Sequence, residues 1–600
     1  MSTVNFRSIV PAPQSRTTEI DFIVVLSHSS LPARPADGSF SVEHSNGPFL
    51  TMPRPLQFSR WLLNDPSLLS SIRNSYIREI NQGHCHPMRF WAKFTADQIL
   101  TAARNGVAIG SILIAFATPP SWAQKPAFPE AQGGGASSVG GRGGEVKEVT
   151  NLQDSGPGSL RECLAAKGPR TCVFRVAGVI TQHSDLNVSN PFLTIAGQTA
   201  PGEIILGGPT NRGYTLRIST HDVVIRYITI SPDDFVAVPG PSTGTLGFGV
   251  INGNNFNIIL DHVTSRWAGN KMWITTSNYV GPNHLITTSW SLFYEPHAGH
   301  PVGPGTAGNP IGCPNAPPDP SLENPCFSAL ETDIDFHHNV FVNISHRIPE
   351  IDNKSTRWVN NLTFNWAFYA FAGLGGETLD LIANKWVRGN LNASAQAHEI
   401  HVTEQTPDVL GNPSVFISGN VGPNQPDPDG DQYLMVSRIT GENGREDGPI
   451  PEGWRRRVPM PGTKFPIVVD SATSLDTILL PTVGNSQHLD CNGAWVFHRD
   501  DADKRIIAQY QSNSPGGFWP NDITATGSAA SPLPSPEAPW QDRPVIVGAP
   551  CSESLHDGIP DQWKKLQNLS TTNRDLFKKV GTDGYTILEH YLDGIPVPNH

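Results

Sequence analysis

The feature that most constrains the fold is a series of short apolar, β-branched segments along the middle of the chain. Several begin about 20–35 residues after the previous one, and turns rich in Asn, Gly and Ser join them. Helical periodicity is nearly absent between them, so the segments are predicted to be strands. The predicted strands are 192–196, 223–230, 258–263, 285–292, 334–342, 358–364, 379–383, 400–402 and 415–417.

Strands at so coarse a period favour a solenoid of parallel strands, in which each coil stacks on the next. Equivalent positions then form ladders of like side chains. A β-sandwich, the alternative, would need antiparallel hairpins at shorter and more regular spacing. The asparagines that fit such ladders at predicted strand edges are Asn254, Asn255, Asn339, Asn343, Asn360 and Asn361.

The composition agrees with an all-β chain that has many turns. Gly occurs 56 times and Pro 54 times, and charged residues make up only 16% of the chain. A length of 600 residues exceeds what one core needs, so we expect several domains or one long repetitive domain. The net charge of −12 argues against a nucleic-acid partner. Binding an acidic ligand would therefore require a local concentration of cations or a bound metal.

The N-terminal part differs from the rest. Residues 1–87 show no sustained period and are predicted to be a non-native or disordered extension. Residues 88–123 have the order of a secretory signal peptide, with basic residues, an apolar run and a small-x-small site at Ser121-Trp122-Ala123. The run is shorter than the ~20 residues of a membrane span. We therefore expect Met88 to be the true start of a secreted protein, extracellular or periplasmic, with no membrane partner.

The cysteines agree with export. Of the seven, Cys85 precedes the predicted cleavage point, and the remaining even number suits an oxidising compartment. Several pairings are possible. Nearest neighbours would pair Cys163 with Cys172, Cys313 with Cys326, and Cys491 with Cys551.

Residues 333–352, which read DIDFHHNVFVNISHRIPEID, combine a predicted strand with a cation. Pro349 fixes its own φ and biases Ile348 towards an extended conformation. Arg347 is therefore predicted at a strand end, where a long side chain can face a groove. On this tripeptide alone, an exposed arginine that binds nothing remains the alternative.

Seven stretches between about residues 127 and 420 resemble a known family in sequence, order and spacing. They read AFPEAQGGGASSVGGRGGEV, EVTNLQDSGPGSLRECL, GPRTCVFRVAGVI, FLTIAGQTAPGEI, ISTHDVVIRYITI, IILDHVTSRW and FHHNVFVNISHRIP. These stretches resemble the extracellular pectate lyases of polysaccharide lyase family 1. The resemblance implies a right-handed parallel β-helix that cleaves pectate or pectin-type polyuronate by β-elimination. In that reaction a base removes the C5 proton of a galacturonate, and the C4–O bond breaks to leave an unsaturated sugar.

The resemblance assigns the role of base to Arg347, through its R-x-P sequence. In the family, calcium held by acidic side chains neutralises the carboxylate next to C5, and calcium prefers oxygen ligands. A guanidinium pKa above ~12 makes the free base scarce. The role therefore requires neighbouring cations, alkaline pH or both.

The chain departs from the family where the metal is held. Family members read W-x-T-D-E where this chain reads WAGNK, so Asn270 and Lys271 replace two carboxylates. An upstream D-A-L or D-A-I has become GTL, and Asp352 stands where some members have a second arginine. Asp233 and Asp234 remain as candidate metal ligands, or as an ordinary solvated turn.

Two interpretations follow, both with an acidic plant polysaccharide as partner and a monomeric chain. In the first, Lys271 pairs with the substrate carboxylate in place of calcium, Asn270 and His346 help to bind substrate, and Arg347 takes the proton. In the second, the site is degenerate and binds an acidic glycan without cleaving it. A polygalacturonase-type hydrolase is a third alternative. It would need a carboxylate pair, for which the solenoid offers Asp233-Asp234.

The predicted β-helix spans residues 124–420, after which its signals weaken. Residues 421–550 are predicted to be a loop-rich tail and linker, and 551–600 a small C-terminal helical module. The sequences DGIPDQW and DGYTILE resemble the tail of bacterial members of the same lyase group. They make Asp557, Asp561 and Asp583 candidate calcium ligands, although full EF-hand spacing is missing. A packed helical tail without calcium is the alternative.

Peptide mapping of the exported protein tests the N-terminal assignment. Because the signal peptide would be removed at the small-x-small site, we expect the first abundant peptides to begin near residue 124. Abundant peptides from residues 1–87 would contradict the assignment of Met88 as the start.

Overall fold

The structure is a computed structural model, and the following residues of the chain are described in it. They are 125–209, 213–232, 246–268, 271–277, 281–296, 302–303, 330–344, 346–366, 369–389, 398–403, 412–440, 445–514 and 546–598, together with the backbone of three N-terminal strands. The chain divides into two compact units, Met1–Thr118 and Pro119–His600.

The first unit contains a small antiparallel sheet. Its strands are β1 (Val4–Ser8), β2 (Ile20–Leu26) and β3 (Arg89–Phe94), in the order β1-β2-β3. Strands β1 and β2 lie in the segment assigned to an extension, and β3 lies at the start of the assigned signal peptide. Both of those assignments stay predictions.

The second unit consists mostly of short strands. In its first half they are β4 (Glu145–Val149), β5 (Arg170–Phe174), β6 (Gly178–Gln182), β7 (Leu186–Val188), β8 (Leu193–Ala196), β9 (Ile204–Pro209), β10 (Tyr214–Ile218), β11 (Val223–Arg226), β12 (Thr229–Ile230), β13 (Leu246–Val250), β14 (Phe256–Asp261), β15 (Thr264–Arg266), β16 (Trp273–Thr275), β17 (His284–Ser289) and β18 (Leu292–Tyr294). They continue as β19 (Val302–Gly303), β20 (Thr332–His337), β21 (Val340–Ile344), β22 (Glu350–Ile351), β23 (Ser355–Val359), β24 (Leu362–Trp366), β25 (Phe371–Leu374), β26 (Thr378–Ile382), β27 (Lys385–Val387), β28 (Ile400–Thr403), β29 (Ser414–Ser418), β30 (Val436–Thr440), β31 (Arg445–Pro449), β32 (Gln487–Leu489) and β33 (Trp495–Phe497).

The described helices are short. The α-helices are α1 (Leu160–Ala165), α2 (Leu475–Leu479), α3 (Asp501–Ser512), α4 (Asp561–Leu566) and α5 (Ile587–Leu592). The 3₁₀ turns are Gly134–Ser137, Gly197–Thr199, Gln432–Met435, Glu452–Trp454, Ala472–Ser474 and Leu576–Lys578. Within the described residues, no helix is long and apolar enough to cross a membrane.

Four sheets carry the strands of the solenoid. Sheet I has the order β4-β5-β8-β11-β14-β17-β20-β23-β26-β29, and sheet II has the order β6-β9-β12-β15-β18-β21-β24-β27. Sheet III has the order β7-β10-β13-β16-β19, and sheet IV the order β22-β25-β28-β30-β31. Strand β22 lies beside β19, so sheet IV continues the face of sheet III.

The chain passes through sheet III or IV, then I, then II in each complete coil, and neighbouring coils pair in parallel. For example, Ile286 of β17 stands beside Ile334 of β20, and Leu292 of β18 beside Val340 of β21. The predicted all-β parallel β-helix is therefore confirmed, and the sandwich is excluded. Strands β30 and β31, which lie past residue 420, extend sheet IV, and β31 is antiparallel to β30.

The longer predicted strands are each divided in two by a sharp bend. The segment predicted as 334–342 is β20 and β21, separated by His338 at φ 58°. Trp290 and Asn360 bend the neighbouring coils in the same way, at φ 48° and 54°. The left-handed backbone conformation turns the chain from sheet I into sheet II. The sequence pattern missed these bends because the apolar residues continue on both sides of them.

A ladder of buried asparagines follows the bends. The backbone N–H of Asn339 donates to Oδ1 of Asn361 at 3.1 Å, and that of Asn361 donates to Oδ1 of Asn384 at 2.9 Å. The N–H of Asn384 donates to Oδ1 of Asn420 at 2.8 Å. The predicted asparagine stacking is confirmed at Asn339 and Asn361, and it extends to two asparagines that the sequence analysis did not select. Each amide satisfies a backbone donor that the bend would otherwise leave unpaired.

Aromatic side chains fill the interior of the solenoid. The ring of Trp273 meets that of Phe336 at 4.7 Å between centroids, and Phe336 meets Trp358 at 5.1 Å. Trp358 in turn contacts Phe371 at 5.9 Å. All four side chains are buried. They connect sheets I, III and IV across the core, which fixes the positions of the connections at its edges.

The C-terminal segments pack against the outside of the solenoid. Helix α3 approaches sheet II, where Nη1 of Arg266 lies 2.6 Å from Asp500. Helices α4 and α5 form the predicted small helical module, whose apolar side chains pack against Ala196. Arg226 of sheet I lies 2.6 Å from Asp593 of this module.

Two of the three disulfides favoured by the sequence are confirmed. Cys163 is bonded to Cys172, and Cys491 to Cys551. The third pair, Cys313 and Cys326, lies outside the described residues. The second disulfide joins the segment around β32 and β33 to the start of the helical module.

Replacing Asn361 by Ala tests the asparagine ladder. The substitution leaves the buried N–H of Asn339 without its acceptor, so we expect the free energy of unfolding to fall by about 1–3 kcal/mol. Asn187→Ala, on the exposed side of β7, is the matched control and should change it by less than about 0.5 kcal/mol. Equal effects in denaturant unfolding would contradict a stabilising role for the ladder.

Candidate active site

The topology brings the candidate residues of the solenoid to one edge. Lys271 lies on the connection from β15 to β16, and His346 and Arg347 lie on the connection from β21 to β22. Both connections lead from sheet II to the shared face of sheets III and IV. Neighbouring parallel strands are about 4.8 Å apart. Connections two coils apart are therefore separated by about 10 Å along the axis of the solenoid. Asp233, Asp234 and Asn270 lie outside the described residues, and their assignments stay predictions.

Arg347 is held by a carboxylate three residues along the chain. Its Nη1 donates to Oε1 of Glu350 at 2.9 Å, and its Nε lies 2.6 Å from Oε2. Tyr369 adds a side-chain hydrogen bond. Burial favours a lower pKa for Arg347, but Glu350 and Tyr369 together raise the pKa above its ordinary value. The guanidinium therefore stays protonated throughout the working range of an enzyme.

The side chain of Lys271 is half-buried, and its ion-pair interactions differ from those of Arg347. Its backbone carbonyl accepts the N–H of Gly247 at 2.8 Å, which anchors the residue beside β13. Burial lowers its pKa to about 8, with the charge of Glu350 opposing and that of Arg347 adding to the change. In the described part of the chain, no side chain forms a hydrogen bond or ion pair with its ammonium.

His346 lies beside both cations. Its ring meets that of Tyr369 edge-on at 5.5 Å between centroids. Burial, and then the positive charges of Arg347 and Lys271, lower its pKa to about 3. The imidazole is therefore neutral near neutral pH and can both donate and accept a hydrogen bond. Three of the residues selected from the sequence therefore lie near one another: the charges of Arg347 and Lys271 act on the pKa of His346.

Further carboxyl groups lie close to this edge. Burial raises the pKa of Asp352 well above its ordinary value, and Glu350 and Glu331 add to the effect. Glu377 is fully buried, and burial followed by the charge of Asp352 raises its pKa well above the ordinary value too. Both groups are stable as neutral acids. Among these acids, Glu350 is the carboxylate in direct contact with Arg347.

The sequence analysis missed Glu350 and Tyr369 as members of the site. Glu350 follows Arg347 at a spacing that would suggest pairing only on a helix, and this segment is not helical. Tyr369 comes from the next connection between sheets II and IV, so only the coil stacking brings it near. No local pattern in the sequence signals either contact.

The described side chains at this edge do not fit a calcium ion. Calcium takes six to eight oxygen ligands. The described side chains here are an ammonium, a guanidinium, a carboxylate that is already paired, and the acids Asp352 and Glu377, whose raised pKa values favour the neutral form. Across the described residues, no group of three or more His, Cys, Asp or Glu side chains could hold a metal ion.

The candidate calcium ligands of the C-terminal module have protein partners. The Nζ of Lys564 donates to Oδ1 of Asp557 at 2.8 Å. Asp561 accepts the N–H of Ser554 at 3.0 Å, and Asp583 lies 3.2 Å from Nε2 of His590. The lysine ammonium supplies positive charge to Asp557, and the assignment of the three aspartates to calcium stays a prediction.

The chain is similar in sequence to curated proteins named as pectate lyases. No protein-family model matches the chain. A probable pectate lyase C of Aspergillus fumigatus is 27% identical over 480 residues, which cover 78% of this chain and 93% of the relative. The probable pectate lyase C of Aspergillus terreus is 28% identical over 479 residues, covering 78% and 94%. Pectate lyase 5 of Ambrosia artemisiifolia is 24% identical over 313 residues, covering 49% and 73%.

Solved structures show weaker similarity. The cedar pollen allergen jun a 1 covers 59% of this chain and 92% of its own, at 16% identity and a TM-score of 0.39. A pectate lyase of Bacillus sp. N165 in complex with trigalacturonate covers 59% and 98%, at 15% identity and a TM-score of 0.38. Because these TM-scores are low, the fold is established from the strand pairing of this chain. The resemblance to pectate lyases seen in the sequence is confirmed by the curated relatives, and this homology supports a polysaccharide lyase.

Competitive acylation at a series of pH values tests the charge state of Lys271. We expect half-maximal labelling of Lys271 at a pH of about 8, because burial disfavours its ammonium. In Glu350→Gln, the loss of a stabilising negative charge should shift that midpoint to lower pH. The control Glu452→Gln, at a carboxylate that is 76% exposed, should leave the midpoint in place. A midpoint that does not move in Glu350→Gln would contradict the coupling.

Proposed function

We propose that the protein is a secreted, monomeric polysaccharide lyase that cleaves pectate or pectin-type polyuronate by β-elimination. The observation that carries the proposal is the presence of two cations, Lys271 and Arg347, at one edge of the β-helix. Curated relatives named as pectate lyases match the chain over most of their own length, which supports the same class of reaction.

The arrangement meets the electrostatic requirement of the reaction. Abstraction of the C5 proton places negative charge next to the carboxylate of the sugar, and fixed positive charge stabilises the transition state. Lys271 and Arg347 can supply that charge from the protein itself. Glu350 offsets one of the two positive charges and holds the guanidinium in place. His346, which stays neutral, can form a hydrogen bond with a sugar hydroxyl.

A glycan-binding protein without catalytic activity is a second candidate function. The observation in its favour is that Glu350 engages Nε and Nη1 of Arg347, the residue to which the family resemblance assigns proton abstraction. An arginine held in this way can bind a carboxylate with its remaining N–H groups but is a poor base. Binding and cleavage assays on the same preparation separate the two functions.

Lyase assays on the full-length chain test the proposal. We expect ultraviolet-absorbing unsaturated products from polygalacturonate or methylated pectin, and an equal rate with a chelator present. Arg347→Ala should reduce kcat/KM by about 100-fold or more, because it removes a fixed charge at the reacting centre. Arg455→Ala, a partly exposed arginine outside this edge, is the control and should retain wild-type activity.

Two results would contradict the proposal. Equal activities of wild type and Arg347→Ala would exclude Arg347 from the mechanism. Tight binding of polygalacturonate without any unsaturated product, with or without calcium, would establish the binding function instead.

A further inference from the structure

We propose that Glu446 and His401 are positioning residues that hold Tyr369, and through it the guanidinium of Arg347, in place. This role rests on the proposed function, in which Arg347 is one of the two cations that act on the substrate. It follows from a continuous series of contacts across sheet IV, from Glu446 on β31 to Arg347. Strand β31, which lies past the predicted end of the β-helix, thereby contributes a residue to the site.

Tyr369 contacts Arg347 directly. A guanidinium has only hydrogen-bond donors, so the Tyr369 hydroxyl accepts the bond from Arg347. Burial, with the charge of Glu350 adding to it, raises the pKa of Tyr369, and the hydroxyl therefore stays a neutral phenol. The buried ring contacts two imidazoles, that of His346 edge-on at 5.5 Å and that of His401 at 4.9 Å between centroids. The position of the hydroxyl therefore depends on both imidazoles.

The imidazole of His401 is held by a carboxylate from β31. Its Nε2 lies 3.0 Å from Oε1 of Glu446, and the same oxygen accepts the backbone N–H of His398 at 2.9 Å. Oε2 of Glu446 lies 3.0 Å from Nδ1 of His398. The residues paired with His401 in the sheet, Ala372 and Ser437, have small side chains and leave room for the ring.

The protonation states make Glu446 the group that orients this ring. Burial alone would raise the pKa of Glu446, but hydrogen bonds from His401 and His398 lower it to about 2. An ionised carboxylate has no proton to donate, so Nε2 of His401 carries the hydrogen. Within the described residues, Nδ1 of His401 is buried and has no hydrogen-bond partner. The hydrogen bond to Glu446 therefore fixes the orientation of the imidazole that packs against Tyr369.

Glu446→Gln tests the series with little change in shape. The amide cannot accept every N–H that the carboxylate accepts, so the ring of His401 loses its fixed orientation. We expect kcat/KM on polygalacturonate to fall about fivefold to tenfold.

Asp380→Asn, on sheet I, is the matched control. Asp380 is a buried carboxylate that also accepts a side-chain and a backbone N–H, from Arg456 and Met460. Its replacement should leave kcat/KM within about twofold of wild type. Thermal unfolding of each variant checks that it is folded.

Double variants separate positioning from a general loss of stability. Tyr369→Phe removes only the hydroxyl that accepts from Arg347, and adding Glu446→Gln to it should lower kcat/KM by less than about twofold. In Arg347→Ala, neither substitution should reduce the remaining activity further. A substitution that acted through stability alone would lower activity by the same factor in every background.

The equilibrium Kd for polygalacturonate is measured on the same variants, so the test does not depend on turnover. Unchanged kcat/KM and Kd in Glu446→Gln, or equal factors in the wild-type and Arg347→Ala backgrounds, would overturn the positioning role and leave the lyase function intact. Absence of unsaturated product from wild type would overturn the lyase function, and the comparison of Kd values would then decide the positioning role. Absence of both product and binding would overturn both proposals.

Discussion

Parallel pairing of coil on coil is the constraint on which the rest of the structure depends. It repeats each connection at a fixed spacing, so side chains far apart in sequence meet at one edge. Lys271 and Arg347 are separated by more than seventy residues in the chain, yet the charge of Arg347 contributes to the lowered pKa of Lys271. The asparagine ladder and the aromatic core keep the coils in register and thereby fix the geometry of this edge.

The protein places a local excess of positive charge on an acidic chain. A net charge of −12 would repel a polyuronate in general, and only a local group of cations can reverse this at the point of binding. Two charged residues at this edge act in opposite directions. Lys271 adds positive charge, and Glu350 offsets part of the charge of Arg347. Burial lowers the pKa of Lys271 to about 8, so its ammonium loses a proton more readily than that of an exposed lysine.

The sequence predicted those features that depend on local pattern. The strands of sheet I from β8 onward, the asparagines at positions 339 and 361, and two disulfides follow from alternation, turn composition and nearest-neighbour pairing. The bend at Trp290 was not predictable, because a bulky residue rarely adopts a left-handed backbone without a tertiary reason. The pairing of Arg347 with Glu350 and Tyr369 was equally hidden, since it depends on a non-helical connection and on the next coil. The altered pKa of Lys271 arises from burial, which no motif records.

A crystal structure of the full-length protein with a bound oligogalacturonate is the decisive test of the proposed site. We expect carboxylates of the oligosaccharide to contact the two cations of this edge, Lys271 and Arg347. An oligosaccharide bound away from this edge would contradict the proposal.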